Sequence, residues 1–317
     1  MEAEQKFYEE WLAKGYASSM NYLKRDPEGR NRPSLLVPEA YSVILLFANY
    51  YTERPADPGA RYGKVARYAV GQDYHQVLPK KLHELKEQIE NRLARPLLGK
   101  YFTDDVNLFE QGLASRHGLG FTGKNSLIIG PKMLGSYHFV AELFTDIELE
   151  SDAPYKGTCG NCFRCAAGCP TGAIVAEKIV DSNRCISFLT IENKQGIPID
   201  FRQKLGDWIF GCDVCQEVCP YNFKSSPNIW TEFQPESGVG HFLDLFDLLE
   251  IPSQREFIRR FGNTPLSRPK RKGLIRNALV VLGNRRPKGG EDAISRFLKR
   301  ESDEMLIEHA QWALQQY

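Results

Sequence analysis

The sequence has no uninterrupted apolar run approaching the roughly 18 residues that a membrane-spanning helix needs. Its first residues, MEAEQKFYEEWLAKGY, are charged and amphipathic and lack the apolar centre of a signal peptide. No cysteine lies outside the stretch from Cys159 to Cys219, and net charge is scarce, with 41 Lys and Arg against 40 Asp and Glu. The loop pattern G-x4-GK-[ST] is not met around Gly123-Lys124, where the order is loop to strand. These absences exclude a membrane span, a secreted disulfide framework and a P-loop nucleotide site. They lead to the expectation of a soluble, cytoplasmic protein whose thiols stay reduced.

What is present is concentrated. Cys159, Cys162, Cys165 and Cys169, followed by Pro170, have the spacing C-x2-C-x2-C-x3-C-P. In that run three thiolates hold one 4Fe-4S cluster and the fourth reaches across to a second. Cys185, Cys212, Cys215 and Cys219, followed by Pro220, complete the pair. The crossover rule assigns Cys159, Cys162, Cys165 and Cys219 to one cluster and Cys185, Cys212, Cys215 and Cys169 to the other. Paired zinc sites also use C-x2-C units, but they do not call for the x3-Cys-Pro ending used twice here.

The 317 residues suffice for two or three domains. The near-neutral total hides an asymmetry. Between Arg255 and Arg300 fourteen Lys or Arg face Glu256, Glu291 and Asp292, a local net of +11, so the rest of the chain sums to about −10. Such a patch points to a polyanionic partner, with a solvated helical surface as the plainer alternative. Along the chain, Phe7, Trp11 and Leu12 share a helical face that Gly15 ends. The run Val43 to Phe47 reads as a strand buried on both faces. Leu82, Leu85, Ile89 and Leu93 mark an amphipathic helix, and 125–129 and 137–144 read as strands. Beyond Pro220 three helices follow, around Ile275 to Leu282, Ala293 to Leu298 and Leu306 to Leu314. They resemble one and a half units of a HEAT-like array. The fold class is therefore α+β: an α/β module over 1–150, a ferredoxin-like double-cluster domain over 151–230 and a helical region over 231–317.

Two clusters alone make an electron carrier, so the first part of the chain has to supply the chemistry. His75 stands beside Asp73 and Tyr74, and a lone histidine is more often structural. Asp104 reads first as a helix N-cap ahead of 106–114, with an acid placed in a pocket as the alternative. In HGLGFTGKNSLIIG, Lys124, Asn125 and Ser126 are suited to an anionic or amide-rich ligand.

The stretch from Met20 to Pro38, RYAVGQDYH, HGLGFTGKNSLIIG, the paired cysteine sets and TPLSRPKRKGLIRNALVVLGN together resemble the epoxyqueuosine reductases. The resemblance covers nearly the whole chain. It implies a cobalamin-binding α/β module related to reductive dehalogenases, two 4Fe-4S clusters and HEAT-like helices that help hold tRNA. The reaction implied is two-electron removal of the epoxide oxygen of epoxyqueuosine at the tRNA wobble position, leaving queuosine. A low-potential donor such as a ferredoxin or flavodoxin would feed a monomeric enzyme with no membrane partner. By the same matching Asp104 becomes the catalytic proton donor and a cofactor contact, and its carboxyl has to be protonated when it acts, which burial beside the corrin favours. Arg25, His75, Lys124, Asn125, Ser126 and Ser187 become candidates for cofactor or substrate contacts. Arg268, Lys270, Arg271, Lys272 and Arg276 become candidates for tRNA phosphate contacts. The D-x-H-x-x-G motif that supplies a histidine to cobalt elsewhere is absent, because Asp73-Tyr74-His75 continues as Gln76, Val77 and Leu78. Base-off cobalamin is expected. The family usually carries about one more α/β unit before the Trp11 helix and a longer helical array at the other end. A reductive dehalogenase-like enzyme is the rival that shares both cofactors, a ferredoxin-type carrier needs no pocket, and an RNA-binding role alone leaves the clusters unexplained.

Overall fold

The computed structural model describes residues 2–317. The helix Glu2–Ala13 opens the chain, and its Trp11 donates Nε1–H to the carbonyl of Val180, 2.8 Å away in the cysteine-bearing part. The apolar run forms the strand Ser42–Asn49, which pairs antiparallel with His138–Thr145; that strand pairs on its other side with Gly99–Phe102. Among the described residues Ser42–Asn49 is thus an edge strand. Its side chains are mostly half-buried, whereas the central strand carries the fully buried Leu143 and Phe144. The continuous burial expected there belongs to the central strand instead, where successive residues 141–145, which point to alternate faces, are all buried.

Against this sheet packs the helix Tyr74–Leu93, capped by Asp73, whose carboxylate accepts the His75 N–H. Val77, Leu78 and Leu82 join Tyr137, Phe139 and Leu143 in the core between them. The strand expected over 125–129 shrinks to Ile128–Ile129, paired with Phe121–Thr122. Ser126 has a left-handed φ of 67° and donates its N–H to the Gly123 carbonyl, so Asn125 and Ser126 form the turn.

A second sheet joins distant parts of the chain. Phe242–Asp244 runs antiparallel to Tyr62–Val65, which runs parallel to Trp208–Phe210. One large core continues through it, from Val65 and Ile186 to Phe210, Leu245, Leu279 and Ala310. The helix Lys270–Arg285 threads this core and is buried on every side from Gly273 to Gly283. It is a central helix; the apolar face read from Ile275, Ala278 and Leu282 is only part of its contact, since Val280 and Val281 are buried too.

That burial corrects one candidate. Arg276 is fully buried, and its guanidinium donates to the carbonyls of Leu189, Asn193 and Gln195 and to Asn277 Oδ1. It cannot meet a phosphate; it ties the helix to the loop after Ile191. The basic run is also less bare than its sequence. Arg260, Arg268, Arg271, Lys272 and Arg300 pair with Asp247, Glu192, Glu301, Asp303 and Glu250, all from outside the run. Among the described residues no helix is long and apolar enough to cross a membrane.

Candidate active site

The three parts of the chain meet at a cleft of about 500 Å³. Met20, Tyr22, Tyr68, Tyr74, His75 and Asp104 line it from the α/β part, Cys185, Ser187 and Phe188 from the cysteine-bearing part, and Pro265 and Arg268 from the helical region. Asp104 lines it together with the acids Asp73 and Glu192, and it is exposed, so the burial expected of it is not seen in the protein alone. The helix after it begins only at Glu110, with Phe109 in the cap position, so Asp104 caps nothing. Its φ of 56° places it in left-handed backbone, a conformation costly for a residue with a Cβ. The Tyr74 hydroxyl donates to Asp104 Oδ2 at 2.8 Å. Burial first, and the Asp104 charge second, push the Tyr74 phenol far above its ordinary range, so it remains a donor.

His75 reaches the cleft, but its Nδ1 lies 2.9 Å from Asp73 Oδ1, and that hydrogen bond holds the imidazole above its usual value. At the rim Arg268 pairs with Glu192 at 2.7 Å and stacks 5.7 Å from the Tyr22 ring centre. Burial pushes the Tyr22 phenol up to about 12.

Five of the other sequence candidates lie elsewhere. Arg25 is exposed after the turn Asn21–Lys24 and does not line the cleft. Lys124 places Nζ 2.7 Å from Glu177 Oε1 and 3.7 Å from the ring centre of Phe163, which sits between Cys162 and Cys165. Asn125 is buried with its Oδ1 turned to the Leu127 N–H, and Ser126 Oγ donates to the Lys178 carbonyl at 2.7 Å. Lys124 and Ser126 brace the cysteine-bearing part. Lys270, the first residue of the helix Lys270–Arg285, stands exposed with a φ of 59°.

The cysteines lie close together, with Cys215 of the second set within electrostatic reach of Cys165 of the first as well as of Cys185. Cys219 is within electrostatic reach of Cys159, Cys162 and Cys165, while Cys212 is within reach of Cys215 and Cys185, and Cys185 of Cys169. Among the described residues no three His, Cys, Asp or Glu side chains converge on a single-ion site. A cubane, held by one thiolate at each iron, asks for wider spacing than one zinc ion does. The loop between Cys212 and Cys215 is anchored by a feature that the sequence did not reveal. Buried Asp213 accepts from Arg54 at 2.7 Å and from the Arg67 backbone and guanidinium at 2.9 and 3.1 Å. Arg67 belongs to the RYAVGQDYH segment, so this segment holds the cysteine loop as well as lining the cleft through Tyr68.

Sequence and structure comparisons agree with this geometry. Residues 158–222 match a family model described as a 4Fe-4S double cluster binding domain, and residues 30–105 one described as epoxyqueuosine reductase QueG, DUF1730. An epoxyqueuosine reductase of Leadbetterella byssophila is 41% identical over 281 residues, 89% of this chain and 90% of that one. A crystal structure of epoxyqueuosine reductase with an epoxyqueuosine-modified tRNA-Tyr stem loop superposes with a TM-score of 0.82 at 29% identity, covering 100% of this chain and 92% of that one. A Bacillus subtilis epoxyqueuosine reductase with its catalytic aspartate loop swung out of the active site superposes with a TM-score of 0.82 at 28% identity, again over 100% and 92%. A cleft joining an acid to Cys185, a match to a double-cluster domain and relatives of this similarity lead to one assignment: the chain belongs to the epoxyqueuosine reductase family.

Proposed function

We infer that the protein reduces epoxyqueuosine to queuosine in tRNA. The observation that carries the reading is that Asp104 and Cys185 line one cleft, so a proton donor and a cluster ligand face the same space. In the reaction both C–O bonds of the epoxide break, two electrons and two protons are taken up, the oxygen leaves as water and an alkene remains. Asp104 gives a proton to the departing oxygen, Tyr74 orients its carboxyl, and Tyr68 and Phe188 keep bulk water from the reacting atoms. The four-to-four division of the cysteines proposed from their spacing puts the Cys185 cluster beside the cleft and the Cys159 cluster behind it.

The cleft suits cobalamin in the chemistry of its lining. Tyr68, Phe188, Ile191 and Pro265 offer apolar surface to a flat ring, and Ser182, Ser187 and Glu192 offer hydrogen-bonding groups to its amides. When bound, cobalamin supplies the strongly reducing metal centre that gathers single electrons into a pair. Base-off binding remains the reading, because the D-x-H-x-x-G motif is absent from the sequence. The α/β part over 1–150 is then the cobalamin module, 151–230 the ferredoxin-like part and 231–317 the HEAT-like tRNA-holding part, in a cytoplasmic monomer fed by a ferredoxin or flavodoxin. Arg268, Lys270 and Lys272 are the cations placed to meet tRNA phosphates, Arg271 being mostly enclosed by Glu301 and the Ile251 carbonyl.

The test is anaerobic: reconstituted protein, cobalamin, a low-potential reductant and an epoxyqueuosine stem-loop, followed by nucleoside mass spectrometry. Loss of one oxygen only with cobalamin present is expected. No conversion with clusters and cobalamin both bound would overturn the assignment.

A further inference from the structure

Behind Asp104 lies a group of carboxyls that the reaction as written does not use. Glu110, in the first turn of the helix Glu110–Arg116, accepts the peptide N–H of Asp104 at 2.7 Å. That bond holds the residue in its left-handed conformation, in which the side chain leaves the backbone toward Tyr74 and the cleft. Beneath Glu110 is Glu142, in the middle of the central strand opposite Leu45 and Phe102. Glu142 is fully buried, and neither of its carboxyl oxygens has a hydrogen-bond partner among the described residues. The charged groups facing Glu142 are Glu110, Asp105 and Asp104; those facing Glu110 are Asp104, Asp105 and Arg30. Of the cations nearby, His75 faces the exposed Asp104 and Asp105 and Arg268 faces Asp104, which leaves Arg30 as the cation facing Glu110. A buried carboxylate without a hydrogen bond is costly, and neighbouring carboxyls in such a place retain a proton between them.

We propose that Glu110 is a positioning residue for the reaction, holding the Asp104 peptide so that its carboxyl faces the cleft, and that Glu142 shares with it a proton that keeps the pair at a single negative charge. The proposal rests on the reading of Asp104 as proton donor. Loss of the shared proton puts a second charge on the pair, whose buried member Glu142 has no solvent around it, and the exposed loop of Asp104 and Asp105 above is pushed off its latch. Desolvation first, with the neighbouring carboxylates adding to it, pushes both carboxyls well above the ordinary carboxylate range, so the pair gives up its last proton only on the alkaline side of neutrality.

Reconstituted holoenzyme with the epoxyqueuosine stem-loop tests it by single-turnover rates across neutral and alkaline pH. Glu110→Ala should slow oxygen removal about 10- to 100-fold, with stem-loop affinity within about twofold, as expected when a reacting group is misplaced rather than lost. Hydrogen exchange of the 103–109 amides should speed up in the same variant, with the cysteine region unchanged. Glu142→Gln should keep the neutral rate and move the alkaline fall upward by about one pH unit or more. A wild-type rate and wild-type exchange in Glu110→Ala would overturn the proposal, as would an alkaline fall in Glu142→Gln that superimposes on the parent. If Glu110→Ala does not fold, Glu142→Gln and Glu110→Gln decide by their pH profiles. Asp104→Asn in the same assay separates the two levels: full activity there removes the parent reading, whereas an inactive Asp104→Asn beside an unaffected Glu110→Ala removes the latch alone.

Discussion

Replacing Arg276 with methionine distinguishes a structural arginine from a tRNA contact. The guanidinium is fully buried, and burial draws it down to about 10, so it is still charged at neutral pH. Methionine roughly fills its stem but leaves the carbonyls of Leu189, Asn193 and Gln195 without this donor. Each orphaned buried carbonyl costs about 1–3 kcal/mol, and several kcal/mol return because a desolvated cation has been removed. The net loss should be about 2–4 kcal/mol, or roughly 3–6 °C in Tm for a chain of this size. Anaerobic thermal unfolding of cluster-loaded protein reads the first quantity. The second measurement is stem-loop affinity against salt: its logarithmic slope should be unchanged in Arg276→Met, whereas Arg268→Ala should flatten it by about one unit or slightly less. A wild-type Tm with a flattened slope in Arg276→Met would refute the reasoning.

Tyr74→Phe removes the hydroxyl that orients Asp104 and should lower the single-turnover rate about tenfold at unchanged stem-loop affinity; an unchanged rate would remove Tyr74 from the mechanism. Glu142→Gln should raise Tm, and the gain should grow with pH. Below about pH 4.5 both folded and unfolded states are protonated; between there and about pH 9 only the unfolded chain releases its proton, so the parent loses up to about 1.4 kcal/mol per pH unit that the variant retains. A gain independent of pH would contradict this. Lys124→Ala breaks the contacts to Glu177 and Phe163, and should speed bleaching of the cluster absorbance by an iron chelator while leaving cobalamin affinity unchanged; weaker cobalamin binding with normal bleaching would return Lys124 to the cofactor.

The elements that could be read from the sequence were those with local signals. The cysteine spacing depends on turns of a few residues, and the 3.6-residue periods of Tyr74–Leu93, Gly290–Leu298 and Glu304–Leu314 are carried by each helix alone. Partnership across the chain was not legible. Glu142 occupies an ordinary strand position, and nothing near it in sequence announces Glu110 behind it. Arg276 stands in a basic run, yet its carbonyl acceptors lie more than eighty residues upstream. The acids that neutralise neighbouring cations come from Glu192, Asp247, Glu301 and Asp303, so local charge overstated the bare surface. Lys124, Asn125 and Ser126 carried the chemistry of an anion loop, but a turn at Ser126 aims Lys124 and Ser126 at the cysteine-bearing part.

The mixed sheet of Tyr62–Val65, Trp208–Phe210 and Phe242–Asp244 takes one strand from each of the three stretches that the sequence suggests as units. The cleft is similarly composite, with lining residues from Met20 to Arg268. Modularity in this protein is therefore a property of sequence motifs more than of packing. A chimera that exchanges only the double-cluster segment with a homologue would replace the middle of a shared core and one wall of the cavity together. Grafts should work when the seam residues around Val65, Ile209 and Leu245 travel with the segment, and fail when the cut follows the motif boundaries.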